Sequence, residues 1–294
     1  MKEVLINESF LERLERLEML LKNNVAGAFG GNRRSKSFGS SSEFADRRDY
    51  VAGDDITKID WNAYARTEKL YQKLYLDERQ MHTKIYIDTS RSMDYGNGGK
   101  AEAAVKLAAA LAYISVSAME KVSIFTLSAG EVKPLVSSIV GKDNFLAVIA
   151  KLNSLEFSGD CRISEAILRE SVGFGDGMTV IISDFLTDDD YERAIDYIVG
   201  RRRDLLCVQV LAPNELTPSL TGKIHLYDSE NFEKTYRKNV NREIIAAYRD
   251  AVKYATDRIK NYLSARGAEY MLIGADEDIF DILFGKMERM GVLK

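Results

Sequence analysis

Residues 84–92, KIYIDTSRS, constrain this chain more than any other stretch. An apolar run with alternating Ile85 and Ile87 stops abruptly at Asp88, gives way to small hydroxyl residues, and is followed by a long Ala/Leu-rich segment over 100–119. This is the pattern of a strand, a loop and a helix that covers the strand, the unit from which parallel sheets are built. Asp88, Ser90 and Ser92 therefore converge on one loop. A carboxylate with two hydroxyls is oxygen chemistry, which suits a hard divalent cation, Mg²⁺ or Mn²⁺, better than a soft one. On spacing alone two readings are open: a metal loop, or an Asp88 that only caps its own turn.

The rest of the chain repeats the alternation. Apolar runs at 121–127, 178–182, 205–211 and 270–274 predict strands, with a short alternating run at 223–227. Segments at 144–155, 163–171, 191–203, 241–266 and 279–290 read as helices. Strands alternating with helices predict an α/β fold, a Rossmann-like doubly wound, mostly parallel sheet covered on both faces. The continuous run over 178–182 is that of a strand buried on both faces, and it ends at Ser183-Asp184. A third loop, 158–161, offers Asp160 and Cys161. Ligands of such sheets bind beyond the carboxyl ends of the strands, where Asp88 and Asp184 are expected to meet.

Three divisions follow. Residues 1–42 comprise an amphipathic helix over 1–22, with Phe10, Leu14, Leu17 and Leu21 on one stripe and Ser9 with Glu12 as a capping box, then a Gly/Ser/Asn/Arg/Lys linker. Residues 43–80 form a small β appendage. It has a turn at Gly53-Asp54-Asp55, a new segment at Ile59-Asp60-Trp61 and a strand over 70–76, with a polar network expected around Trp61, Arg47, Arg48 and Arg66. That network is read either as a brace or as a binding surface. Residues 81–294 form the main domain.

Charge and composition exclude some functions. With 41 Lys and Arg against 45 Asp and Glu, the net charge of −4 provides no global field for nucleic acid or anionic lipid. Arg33, Arg34 and Lys36 in the linker read as solvated charges or as a phosphate contact. Cys161 and Cys207, far apart and without CxxC spacing, indicate neither a zinc site nor a disulfide framework. No apolar run approaches the ~20 residues of a membrane span, so a cytoplasmic chain without membrane insertion is expected. The glycines at 96–99 lack P-loop spacing, and His82 and His225 are isolated.

These motifs carry a resemblance. Asp-x-Ser-x-Ser at the end of the first core strand, a glycine ahead of a helix in a second loop, and an apolar strand ending in Ser-Asp resemble the metal-ion-dependent adhesion site of von Willebrand factor A domains. FADRRDYVAGDDITKIDWNAYARTEKLYQKLYLDER resembles the signature of a bacterial subgroup catalogued as domain of unknown function 58, and the likeness continues through IDTSRSM, IISDF and LAPNE…HLYDSEN. The resemblance implies a von Willebrand factor A-like fold and a non-enzymatic interaction module. Its Mg²⁺ or Mn²⁺ would take a carboxylate from a client protein, and its partner would be a MoxR-type AAA+ ATPase. Carried over by position, Asp88, Ser90, Ser92 and Asp184 are metal-site residues, and the family's second-loop threonine falls on Cys161. A thiol is a poor ligand for Mg²⁺. Three outcomes are therefore open: Asp160 substitutes, the ion is held more weakly, or metal binding is lost. The rival functions are a metal-dependent phosphoester hydrolase using Asp88 and Asp184, and a metal-free structural partner domain.

Overall fold

Strands and helices alternate through most of the chain. The chain runs α1 (Glu8–Asn24), β1 (Phe44–Asp49), α2 (Trp61–Thr67), β2 (Tyr71–Tyr75), β3 (His82–Asp88), α3 (Gly99–Ser117), β4 (Lys121–Ser128), β5 (Glu131–Ile139), α4 (Phe145–Asn153), α5 (Ile163–Arg169) and β6 (Met178–Ser183). It continues through α6 (Tyr191–Gly200), β7 (Asp204–Leu211), α7 (Pro213–Leu216), β8 (Gly222–Tyr227), β9 (Thr235–Val240), α8 (Arg242–Ser264), β10 (Glu269–Gly274) and α9 (Ile279–Asp281), which passes into a π-helical turn at Ile282–Met287. This computed structural model describes residues 5–24, 44–51, 53–75, 81–95, 99–170, 172–175, 177–187, 189–218, 222–227 and 235–287. The linker cations Arg33, Arg34 and Lys36, the loop at 96–98 and the end of the last expected helix lie outside the described residues.

The six-stranded sheet has the order β10-β7-β6-β3-β4-β5. Its first five strands are parallel neighbours, and β5 runs antiparallel to β4 at the edge. The mostly parallel, doubly wound sheet expected from the sequence is thus present, with one strand added. β5 contains Pro134, which an edge strand tolerates because an edge leaves some N–H groups without a ladder partner.

Alternation along β3 feeds two cores. Ile85 and Ile87 face one side, where α1, α3, α4 and α9 pack, while Tyr86 faces the other with Phe125, Ile181 and residues of α5, α6 and α8. The many alanines of α3 bring that helix close to the sheet, and the helix is largely buried through to Val116.

The first boundary differs from the expected one at residue 42. One unit joins Met1–Leu21 to Met81–Lys294, and Lys22–Gln80 forms the other. The physical reason is the apolar stripe of α1: Phe10, Leu14 and Leu17 are part of the main core, and the Phe10 and Phe280 rings lie 5.3 Å apart. The cap also differs. Asn7 rather than Ser9 accepts the Phe10 N–H, at 3.0 Å. The strand at 223–227 lies outside the main sheet, since β8 pairs with β9 as an antiparallel hairpin.

In the Lys22–Gln80 unit, β1 and β2 form an antiparallel pair. Its polar network closes on Asp60, not on Trp61. Asp60 caps α2 by accepting the Asn62 and Ala63 N–H groups, each at 3.1 Å, and pairs with Arg47 at 2.7 Å, whereas Trp61 is 61% exposed. A helix-capping carboxylate needs the interior position more than the indole beside it.

Candidate functional site

β3 is the strand at which the order of the sheet reverses: the chain leaves it through α3 to β4 on one side and later returns to β6 on the other. The crevice of a doubly wound sheet opens at that point. β3 and β6 are in register with Ile87 opposite Ile182, so Asp88 and Ser183 emerge side by side.

Asp88 is 2% exposed. Its Oδ1 accepts the Ser90 N–H at 2.8 Å, closing an Asx turn, and Ser183 Oγ donates to its Oδ2 at 2.6 Å. Ser183 Oγ also accepts the Phe185 N–H at 3.0 Å, which supports the left-handed φ of 52° at Phe185. Ser90 and Ser92, both buried, hold their hydroxyl oxygens 3.0 Å apart. The sequence-predicted trio thus converges.

The second loop is stitched to the first. Ser158 N–H donates to the Thr89 carbonyl at 2.8 Å, and Arg91 N–H to the Gly159 carbonyl at 2.9 Å. This brings Cys161 to Asp88. Burial, then the charge of Asp88 and a hydrogen bond to it, push the thiol pKa up, so the thiol stays protonated. Asp160 turns the other way: its carboxylate is 3.3 Å from Arg162 Nε and its side chain is 43% exposed.

Asp184 completes the third corner. Its Oδ1 accepts the Leu186 N–H at 3.0 Å, its Oδ2 lies 2.9 Å from Lys100 Nζ, and its carbonyl accepts from Gln209 at 2.7 Å. Lys100, absent from the residues selected on sequence, is 0% exposed and also reaches Glu215 Oε1 at 2.8 Å. Burial opposes its charge, but Asp184 and Glu215 outweigh that and raise its pKa. The signal for it was available: a lysine in the first turn of a helix that reads as buried must find carboxylates, particularly at the positive end of the helix dipole. Glu215 belongs to the LAPNE stretch, where its other oxygen accepts the Ala212 N–H at 2.7 Å.

The donor chemistry allows a test of fit. Burial, with the like charge of Asp184, raises the pKa of Asp88 in spite of its hydrogen bonds to Ser183 and Ser90. The groups around this carboxylate are neutral donors and another acid, an arrangement that a cation relieves. Asp88, Ser90 and Ser92 fit a hard cation as oxygen donors, and the Cys161 thiol does not. Among the described residues no three His, Cys, Asp or Glu side chains gather as a metal cluster. An ion held here would therefore rely on the serine hydroxyls.

The profile of the family described as Protein of unknown function DUF58 matches residues 46–258, and the chain belongs to that family. Uncharacterized protein Rv1480 of Mycobacterium tuberculosis is 28% identical over 225 residues, 74% of this chain and 70% of that protein. Uncharacterized protein Mb1516 of Mycobacterium bovis matches with the same figures, 28% over 225 residues. Among solved structures, BatB from Bacteroides thetaiotaomicron has a TM-score of 0.43 at 15% identity, over 72% of this chain and 99% of that one. The SpRpn10 VWA domain has a TM-score of 0.39 at 11% identity, over 70% and 94% of the two chains. The segments that carry the sequence resemblance end at neighbouring loops of one sheet, and the fold is a Rossmann-like, mostly parallel doubly wound sheet. Among the described residues no helix is long and apolar enough to cross a membrane.

Proposed function

We propose that this chain is a protein-interaction module rather than an enzyme, and that Asp88, Ser90, Ser92 and Asp184 hold a Mg²⁺ or Mn²⁺ ion that receives a carboxylate from a client protein. The observation that carries the reading is the environment of Asp88: a buried carboxylate beside two converging hydroxyls, with its pKa raised by burial. When bound, the ion supplies a positive centre for a partner's Asp or Glu. The chain's own residues fix the geometry, Ser183 orienting the Asp88 carboxylate and the Asx turn presenting Ser90. A MoxR-type AAA+ ATPase is the proposed working partner in client remodelling, with family resemblance as its support, and the cytoplasm is the proposed compartment, since the free thiols of Cys161 and Cys207 fit a reducing environment.

Affinity capture from the native cell tests this function. The wild-type chain should retain an ATPase and client proteins in Mg²⁺, and lose the clients in EDTA or on Asp88→Ala. Identical profiles for the two chains would contradict it. The metal-free reading has its own support, since Lys100 already neutralises Asp184. Titration with Mg²⁺ separates the two.

A further inference from the structure

The position of Lys100 has consequences for any ion at this site. A fully buried ammonium in the first turn of α3 loses its hydration and opposes the helix dipole, so it persists only where carboxylates compensate it. Two do: Asp184 at 2.9 Å and Glu215 at 2.8 Å. Asp88 stands beside this pair as a further carboxylate, close enough to Asp184 to feel its charge. Yet the oxygen of Asp184 that is not on the Leu186 N–H is the one that Lys100 occupies.

We propose that Lys100 is a built-in counter-cation that competes with the divalent ion for Asp184, and that Glu215, by sharing the ammonium, sets how strongly it competes. The inference rests on the metal reading of Asp88, Ser90 and Ser92 given above. Glu215 draws the ammonium toward α7, and its own carboxylate is fixed by the Ala212 N–H. Without Glu215, the whole charge of Lys100 falls on Asp184. Without Lys100, Asp184 is an uncompensated carboxylate beside the serine hydroxyls. The two changes therefore have opposite effects on the ion: Lys100→Gln tightens its hold and Glu215→Gln weakens it. Loss of a nearby charge alone shifts binding in the same two directions, so the size of the Glu215→Gln loss is read against a carboxylate that does not touch Lys100.

Calorimetric titration of MgCl₂ and MnCl₂ into the full chain tests the proposal, with circular dichroism as the check on folding. Relative to wild type, Lys100→Gln is expected to bind at least roughly tenfold more tightly and Glu215→Gln several-fold more weakly, since charge pairs at this range outweigh thermal energy. Asp189→Asn is the control: it removes one negative charge near Cys161, from a carboxylate that accepts the Ser164 N–H rather than touching Lys100. Its effect should be smaller than that of Glu215→Gln. Wild-type binding with both variants unchanged overturns the proposal and leaves the metal reading intact. Binding that appears only in Lys100→Gln supports the competition, the lysine then winning outright, and contradicts the metal reading of the wild-type chain. Absence of heat in wild type and in both variants overturns both. If Lys100→Gln does not fold, Glu215→Gln decides alone: an affinity equal to or above that of wild type, or a loss no larger than in Asp189→Asn, contradicts the proposal.

Discussion

Ser183 Oγ lies 2.6 Å from Asp88 Oδ2, although the two residues are 95 positions apart in the sequence. The bond ties the ends of two adjacent parallel strands and gives a buried carboxylate one of its donors. Ser183→Ala leaves that oxygen without its partner in the interior. A loss of about 1–3 kcal/mol is expected in urea unfolding. An unchanged midpoint would show that another donor replaces the hydroxyl.

The far end of β3 carries a pH effect. His82 shares a hydrogen bond of 2.9 Å with Ser123 Oγ, and burial, then the charges of Lys84, Arg203 and Lys121, lower its pKa from 6.5 to about 4. The unfolded chain therefore takes up the proton before the folded chain does. Stability contributed by the neutral ring is present above about pH 6.5 and declines as pH falls toward 4. His82→Gln should flatten this slope: between pH 7 and pH 5 the urea midpoint should fall less in the variant than in wild type.

The core role of α1 predicts a large cost for a small truncation. Leu14 is fully buried in the main core. Leu14→Ala should destabilise the chain by about 2–5 kcal/mol. A loss below about 1 kcal/mol in urea unfolding would mean that the helix is only loosely attached.

Cys161 stands where the resemblance expects a threonine, with its thiol against Asp88. Cys161→Thr replaces a protonated thiol with a hydroxyl, a better donor to a hard cation. Tighter Mg²⁺ binding, by roughly threefold to tenfold, is expected by titration. Weaker binding would assign the thiol a favourable role.

Parts of this site are legible in one dimension and parts are not. Asp88 and Ser183-Asp184 are readable because a buried apolar run that stops at a polar residue marks a strand end, and strand ends of a parallel sheet share one edge. Lys100 and Glu215 form their pair only through the sheet order, which sets the start of α3 beside the loop after β7; no local pattern encodes that distance. β5 is hard to read because Pro134 interrupts its pattern and its residues face solvent more than core. The apolar stripe of α1 marks a face that packs on the main domain, whereas the boundary at residue 42 follows the end of the Gly/Ser-rich stretch, a change of composition that does not show which unit the helix before it joins. At Asp60-Trp61 the lone tryptophan is the more conspicuous residue in the sequence, but it is the aspartate that caps α2.

The most direct test of the site is thermal unfolding of the wild-type chain and of Asp88→Asn, each in EDTA and in millimolar Mg²⁺. An ion that binds only the folded state adds stability as its concentration exceeds the dissociation constant, by about 2.7 kcal/mol at a hundredfold excess. A rise in Tm with Mg²⁺ for wild type, absent in Asp88→Asn, is the expected result. Equal responses of the two proteins to Mg²⁺, or no response in either, would contradict a metal centre built on Asp88.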